Sequence, residues 1–166
     1  MKRNFPRLRS RARGDILFGP MFFLGMIAAI AIPAYQDYTI RSQVSEGLNL
    51  ASAVKAAAAE YYATQGAWPA TLKDLGFEKV PQGQYVAAVT LNKGTVEIRY
   101  GRRANALISR KKLTLRPTTG AQQDVIWSCG YSGDVGMDPG TGPAAPHATD
   151  IERKYLPSVC RGGPAR

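Results

Sequence analysis

An uncharged apolar run that continues into an amphipathic pattern constrains this 166-residue chain more than any other feature. Residues 16–35 (ILFGPMFFLGMIAAIAIPAY) carry no charged side chain over 20 positions. A helix of that length is roughly 30 Å long, which is the thickness of the hydrocarbon core of a membrane. The run therefore predicts a membrane-spanning helix, with a cleaved secretory signal or a buried helix of a soluble protein as the alternatives.

The charges around the run predict its orientation. Residues 1–13 hold six Lys and Arg and no acid, and the first charge after the run is Asp37. The positive-inside rule then places the N-terminus in the cytoplasm and the rest of the chain across the membrane. The formal charge is +10, but residues 14–166 account for only +4. Most of the positive charge therefore indicates the orientation of the chain in a membrane, and it is weak evidence for a nucleic-acid partner.

After the run, apolar residues recur at spacings of three and four up to Gln65, which is one face of a helix. These residues are Val44, Leu48, Ala51, Val54, Ala58 and Tyr61. Gly66 and Pro69 mark the helix end, and Pro33 predicts a kink. We expect one helix from near Ile16 to near Gln65, with its second half packed on a core.

Four later segments alternate between apolar and polar residues and predict strands. They are Tyr85–Leu91, Thr95–Tyr100, Lys112–Arg116 and Val125–Cys129. Asn92-Lys93-Gly94 predicts a tight turn between the first two, and the lack of helical period between strands predicts an antiparallel meander. Thr71 and Asp74 have capping-box spacing, which predicts a single helical turn before the sheet. The expected fold class is α+β, a long helix on an antiparallel sheet of about four strands.

The stretch GMIAAIAIPAYQDYTIRSQVSEGL, residues 25–48, closely resembles the N-terminal helix of type IV pilins. The resemblance extends to Arg161 and includes the closing CGY…KYLPSVCR, which is similar to the disulfide-bounded end of that family. It implies a structural subunit of a thin surface filament used in adhesion, twitching or DNA uptake, with the apolar helices bundled at its axis. The residues then expected to allow close helix packing are Gly25, Ala28, Ala29, Ala31 and Pro33.

The resemblance also implies partners and boundaries. The partners are other pilin subunits, the pilus assembly machinery, the inner membrane before assembly, and a host surface or DNA. The boundaries are a basic leader-like segment (1–14), a transmembrane or filament-core helix (15–35), a globular domain (36–161) and a tail (162–166). Within the globular domain we expect a helix (36–65), a connector (66–84), a sheet (85–129) and a disulfide loop (129–160).

The start of the chain departs from the family pattern. Pilins have a basic leader that ends in Gly, followed by Phe and, soon after, by a Glu that sets the register in the filament. Here Asp15 follows Gly14, and counting from Pro33 places Ile16 at the position of that Glu. We expect inefficient cleavage after Gly14, weak self-assembly, and incorporation alongside a complete pilin. An altered or mis-started reading of a pilin gene, a non-polymerising membrane-bound relative and a type II secretion pseudopilin are the alternatives.

Cys129 and Cys160 bracket a stretch rich in Gly and Pro, with 30 residues between them. Two cysteines at the edges of one loop predict a single disulfide formed in an oxidising compartment, with Cα atoms about 4.4–6.8 Å apart. Closing this loop is expected to stabilise the fold by about 3–4 kcal/mol. A metal site is a weak alternative, because His147 is the only histidine and no C-x-x-C is present.

Seven cations cluster in the sheet region: Arg99, Arg102, Arg103, Arg110, Lys111, Lys112 and Arg116. They predict either solvated strand ends or a surface for an anionic ligand, such as DNA, a host glycan or an acidic patch of a neighbouring subunit. Without an aromatic ladder, sequence-specific nucleic-acid recognition is not expected. No hydrolase, zinc-protease or phosphate-loop motif is present, and Asp134 and Asp138 lack the calcium-loop spacing. We expect no enzymatic activity and no cofactor.

Overall fold

The computed structural model describes residues 15–120, 124–132 and 149–162, and for residues 15–20 and 28–34 the description covers the backbone only. The chain divides into two compact units, residues 1–36 and 37–166. Helix α1, Asp15–Gln65, is a single α-helix of 51 residues, which confirms the predicted long helix. The kink at Pro33 stays a prediction.

Gly66 ends α1 as predicted. Its backbone has a φ of +67°, a left-handed conformation that glycine adopts without steric cost. Its N–H donates to the carbonyl oxygen of Tyr62 at 2.9 Å, which satisfies one of the last carbonyl groups of the helix. Within the described residues, no helical segment has the length and apolar character needed to cross a membrane.

Four strands form one antiparallel sheet in the order β1-β2-β3-β4, the meander that the sequence predicts. The strands are β1 (Val86–Asn92), β2 (Thr95–Tyr100), β3 (Lys112–Thr119) and β4 (Val125–Cys129). β1 is shifted by one residue from its predicted position, and β3 continues three residues beyond the predicted end at Arg116. The hydrogen bonds of Gly120 and Gly130 show that the even-numbered residues of β3 direct their backbone N–H and C=O groups toward β4. Pro117 is odd-numbered, so its lack of an N–H removes no hydrogen bond to β4. Its nitrogen thus points toward β2, whose ladder with β3 has already ended at Leu115.

The second half of α1 buries the predicted stripe. Val44, Ala51, Val54 and Ala58 are 0% exposed, whereas Leu48 and Tyr61 are half-buried. The core on the sheet side comes from one face of β1, β2 and β3 and includes Val89, Val96, Ile98, Tyr100 and Leu113. Part of the Leu48 side chain remains exposed to water. Leu48→Ala should therefore lower the free energy of unfolding by less than the roughly 2–5 kcal/mol expected for a fully buried leucine.

Tyr100 and Gly47 fix how closely the helix approaches the sheet. The Tyr100 hydroxyl is buried and donates to the carbonyl oxygen of Val44 at 2.8 Å. A Cβ on Gly47 would collide with that hydroxyl oxygen and would lie 2.8 Å from Cγ2 of Ile98. The absence of a side chain at position 47 therefore makes room for the tyrosine ring.

The connector contains the expected helical turn, Leu72–Leu75. The Asp74 carboxylate accepts a hydrogen bond from the N–H of Thr71 at 2.8 Å. Asp74 therefore takes the role that Glu usually has in a capping box. The β1–β2 turn consists of Lys93 and Gly94, both with positive φ, which is the hairpin geometry that matches strand twist. Its N–H groups donate to carbonyl oxygens of the connector at 2.9 and 3.1 Å, so the turn and the connector hold each other.

Cys129 and Cys160 form a disulfide with Cα atoms 4.6 Å apart. The returning C-terminal segment lies beside the part of β3 that β4 does not reach. There the N–H of Lys112 donates to the Asp150 carboxylate, and that of Thr114 donates to the Thr149 hydroxyl at 3.1 Å. Side chains of the segment thus replace a missing strand at the edge of the sheet.

Candidate functional site

The exposed apolar surface of α1 is the first candidate site. Six of its side chains are half-exposed or more, at 50–76%: Met21, Phe22, Phe23, Leu24, Met26 and Ile27. Large contiguous apolar surfaces of this kind mark sites that contact a membrane or another protein. We call these six residues the apolar segment.

The small residues predicted for close helix packing lie in or next to this segment. Gly25 has open space around it, since a Cβ there would meet no atom within 4 Å. Ala28, Ala29, Ala31 and Pro33 belong to α1, and their side chains lie outside the described residues. Gly14, the predicted cleavage position, also lies outside them. Cleavage and helix packing therefore remain predictions.

The seven predicted cations do not form one uniform patch. Arg99 of β2 and Lys112 of β3 each contact the Glu97 carboxylate at 3.3 Å, so part of their charge is compensated locally. Arg116 is half-buried on β3. The remaining four cations lie in the loop between β2 and β3, residues 101–111, which we call the β2–β3 loop.

The four cations of this loop are Arg102, Arg103, Arg110 and Lys111. Within the described residues none of them forms an ion pair, and Arg102 donates to the neutral Gln82 amide oxygen at 3.0 Å. The three arginines are exposed and the lysine is half-exposed. The uncompensated charge of the predicted patch is therefore concentrated in this loop.

Two contacts that the sequence did not reveal attach helix α1 to the sheet region. The Gln43 amide oxygen accepts the N–H of Asn105 at 2.8 Å, and the Glu46 carboxylate accepts the N–H groups of Gln84 and Tyr85. The partners are separated by 38 to 62 residues in the chain. A polar residue on a helix carries no local signal that identifies such a distant partner.

An aromatic cluster lies near the C-terminal end of α1. The rings of Tyr62 and Trp68 stack with centroids 4.2 Å apart, and Trp68 meets Trp127 edge to face at 6.4 Å. The ammonium of Lys55 lies 5.4 Å from the Trp127 ring, and burial lowers the pKa of this amine. The cluster joins the helix, the connector and β4, so it acts as a packing element of the fold.

The described residues offer no group of three or more His, Cys, Asp or Glu side chains that is placed to bind a metal ion. His147, Asp134 and Asp138 lie outside the described residues.

Comparisons with known proteins agree with this arrangement. A family model described as pilin (bacterial filament) matches residues 40–161. A fimbrial protein of Neisseria meningitidis serogroup B is 37% identical over 83% of this chain and 85% of its own length. A type IV major pilin protein, PilE1, of Neisseria gonorrhoeae is 38% identical over 83% of this chain and 79% of its own. The fimbrial protein EcpC of Eikenella corrodens is 34% identical over 83% and 81%, respectively. The chain belongs to the pilin family of bacterial filament proteins.

Proposed function

We propose that the chain is a structural subunit of a type IV pilus and that it assembles through the apolar segment. The observation that carries the proposal is the exposure of six large apolar side chains in a single copy of a pilin-family chain. Exposure of such a surface to water is unfavourable, and packing many copies side by side removes it from solvent. The named relatives, fimbrial proteins and type IV major pilins, support the same role.

In this proposal, residues 15–35 form the filament core and residues 36–161 form the globular domain on the filament surface. Before assembly the subunit resides in the inner membrane, with the basic N-terminus in the cytoplasm. The cations of residues 1–13 support that orientation, and the Cys129–Cys160 disulfide suits the oxidising side of the membrane. Its partners are other pilin subunits and the assembly machinery. A structural role of this kind needs no catalytic site and no cofactor.

We expect this subunit to select its register in the filament poorly. Apolar packing in a filament replaces apolar packing in lipid at little net gain, so a charge near the helix start helps to select the register. Ile16 stands at the position where pilins have their Glu, and Asp15 is one residue away. Because neighbouring residues of a helix lie on different faces, we do not expect Asp15 to replace that Glu. We therefore expect this subunit to enter filaments alongside a complete pilin more readily than it forms filaments alone.

The test is expression in a host that carries the pilus machinery but lacks its own major pilin, with and without a complete pilin. Sheared filaments are counted by electron microscopy, and mass spectrometry gives the mature N-terminus and the subunits present. We expect this chain in mixed filaments and few filaments when it is alone. Abundant filaments of this chain alone, cut after Gly14, would refute the predicted weakness of assembly.

A matched pair of variants tests the apolar segment itself. Leu24→Gln/Ile27→Gln places two polar groups in the segment, and Val80→Gln/Val159→Gln makes the same change at exposed positions of the globular unit. We expect the first pair to abolish incorporation into filaments and the second to leave it unchanged. Normal incorporation of the first variant would contradict assembly through this segment.

A further inference from the structure

The β2–β3 loop combines positive charge with exposure to solvent. Residues 101–111 hold four cations and no acid. Three of the cations are exposed, and none is ion-paired within the described residues. A compact set of uncompensated cations of this kind attracts an anionic partner.

The backbone of this loop supports a requirement for the arginine side chains. Arg102 and Arg110 have φ values of +58° and +63°, in the left-handed region that favours glycine. A side chain there costs on the order of 1 kcal/mol, yet both ends of the loop keep a long cationic side chain. Glycine would adopt this conformation without that cost, so the ease of turning the chain does not explain an arginine at either position.

Between the cations the loop presents an apolar residue to solvent. Leu107 is 46% exposed, while its neighbour Ile108 is fully buried and fixes the loop to the core. An exposed apolar side chain flanked by cations is typical of segments that lie on an anionic membrane surface. Single-stranded nucleic-acid surfaces instead offer aromatic rings for base stacking, and the loop contains none.

Few residues of the chain separate the attachment point of the loop from the proposed membrane segment. Its Asn105 N–H bonds to Gln43 of α1, and Gln43 comes only eight residues after Tyr35, the end of the apolar run. Eight residues span at most about 30 Å even when fully extended. The loop therefore remains within reach of a bilayer surface whenever residues 16–35 occupy the bilayer.

We infer that the β2–β3 loop docks on anionic phospholipid headgroups of the bilayer in which the subunit resides before assembly. The inference rests on the proposed membrane stage of the function. The guanidinium groups of Arg102, Arg103 and Arg110 bond to phosphate oxygens, and Leu107 enters the headgroup layer. The loop thereby holds the globular unit against the membrane, and its contacts are released when the subunit moves into a filament.

The test uses the full chain reconstituted in vesicles of phosphatidylcholine alone or with added phosphatidylglycerol. Flotation measures insertion, and hydrogen exchange measures protection of the amides of residues 101–111. The loop variant is Arg102→Asn/Arg103→Gln/Arg110→Asn/Lys111→Gln, in which Asn tolerates the positive φ. The matched control, Lys73→Gln/Lys79→Gln/Lys93→Asn/Lys154→Gln, removes the same charge from exposed positions elsewhere, including another position with positive φ.

We expect phosphatidylglycerol to slow exchange in the loop by at least about fivefold, the factor that corresponds to about 1 kcal/mol for one cation near an anionic surface. The loop variant should lose this protection, and the control should keep it. Insertion without added protection, or equal loss in both variants, overturns the inference and leaves the proposed function intact. Failure to insert in either vesicle overturns the membrane stage itself. Protection by duplex DNA but not by phosphatidylglycerol assigns the loop to nucleic acid and also overturns the inference.

Discussion

Two stretches of the same helix show opposite relations to their surroundings. Between Ile40 and Ala58, most of the aliphatic stripe of α1 is completely buried, and Leu48 is half-buried. Between Met21 and Ile27, every apolar side chain of comparable size is at least half exposed. The backbone conformation is the same in both stretches, so helix formation alone does not determine where apolar side chains go. The first stretch has a sheet as its partner within the chain, whereas the second must find its partner outside it.

The difference shows that the two parts of this chain are stabilised by different surroundings. The globular unit is stabilised by burial, by hydrogen bonds such as that from Tyr100 to Val44, and by the disulfide. The apolar segment contributes nothing comparable until a membrane or other subunits surround it. Substitutions in the two stretches should therefore change different observables, and matched substitutions can separate them.

The largest contrast is expected from the same change at two positions of α1. Ile40 is 0% exposed, so Ile40→Ala should lower the free energy of unfolding by about 2–5 kcal/mol. Ile27 is 50% exposed, so Ile27→Ala should change it by less than about 0.5 kcal/mol while reducing incorporation into filaments. Urea unfolding in detergent, followed by tryptophan fluorescence, measures the first quantity. Equal destabilisation by the two variants would contradict the comparison.

Reduction of the disulfide should lower the free energy of unfolding of the globular unit by about 3–4 kcal/mol, because Cys129 and Cys160 are 31 positions apart and the bond restricts the unfolded chain. The loss should begin locally. Hydrogen exchange after mild reduction is expected to rise first in residues 149–162 and to leave α1 protected.

Hydrogen bonds to residues 149–162 limit how much their amide exchange rises when the disulfide is reduced. The Tyr131 hydroxyl lies 3.2 and 3.1 Å from the carbonyl oxygens of Thr149 and Ile151, and its one proton is shared between these two acceptors. Tyr131→Phe should therefore increase exchange in residues 149–162 further in the reduced protein. Simultaneous loss of protection in α1 and in this segment would show a single cooperative unit instead.

Two glycines of α1 give the next contrast. Gly47→Ala should destabilise the globular unit by about 1–3 kcal/mol, since the new Cβ meets the Tyr100 ring and Ile98. Gly25→Ala meets no neighbour and should favour helix formation by about 1 kcal/mol or less. Thermal unfolding of both variants, with sheared filament yield as a second readout, separates the two effects. A stabilising Gly47→Ala would refute the close packing described for this position.

The last effect expected is a pH dependence that originates from Tyr100 and is absent at neutral pH. Burial, together with the charge of Glu46, raises the pKa of its hydroxyl above the ordinary value. Above pH ~10 the unfolded chain loses this proton while the folded chain keeps it, so the free energy of unfolding falls by up to about 1.4 kcal/mol per pH unit. The stabilisation is complete below pH ~10 and is lost as the pH rises.

Tyr100→Phe is the control for that pH dependence. It should cost about 1 kcal/mol at neutral pH, because the bond to Val44 is lost, and it should flatten the alkaline part of the profile. Urea unfolding across the alkaline range measures both. An alkaline fall of the same size in the variant would assign the effect to other groups.

Much of this fold follows from local patterns in the sequence. The stripe from Val44 to Ala58, the turn at Lys93-Gly94 and the helix end at Gly66 all depend on spacing or on glycine, and the structure confirms them. β3 extends beyond its predicted end at Arg116, because the prediction followed the apolar–polar alternation of Lys112–Arg116 alone. The place of Pro117 in the register with β4 cannot be read from the residues around it.

The site was less predictable because its key contacts are long-range. The seven cations were identified together, but the neutralisation of Arg99 and Lys112 by Glu97 depends on the pairing of β2 with β3. The link between Gln43 and Asn105 joins residues 62 positions apart. Sequence spacing reports neighbours on one element, whereas these contacts depend on how elements meet.

The anchoring of the chain on both sides of residues 133–148 has a consequence for protein engineering. Tyr131 and Thr149 are joined by a hydrogen bond, and both hold to neighbours in the sheet or at the disulfide. The residues that flank positions 133–148 are therefore held by contacts outside those positions. Doubling the number of residues between two fixed points of a chain costs only about 0.6 kcal/mol of closure entropy when the added residues are flexible. A foreign peptide with flexible ends, inserted among residues 133–148, should therefore leave the flanking contacts in place, and each subunit that enters a filament would carry one copy.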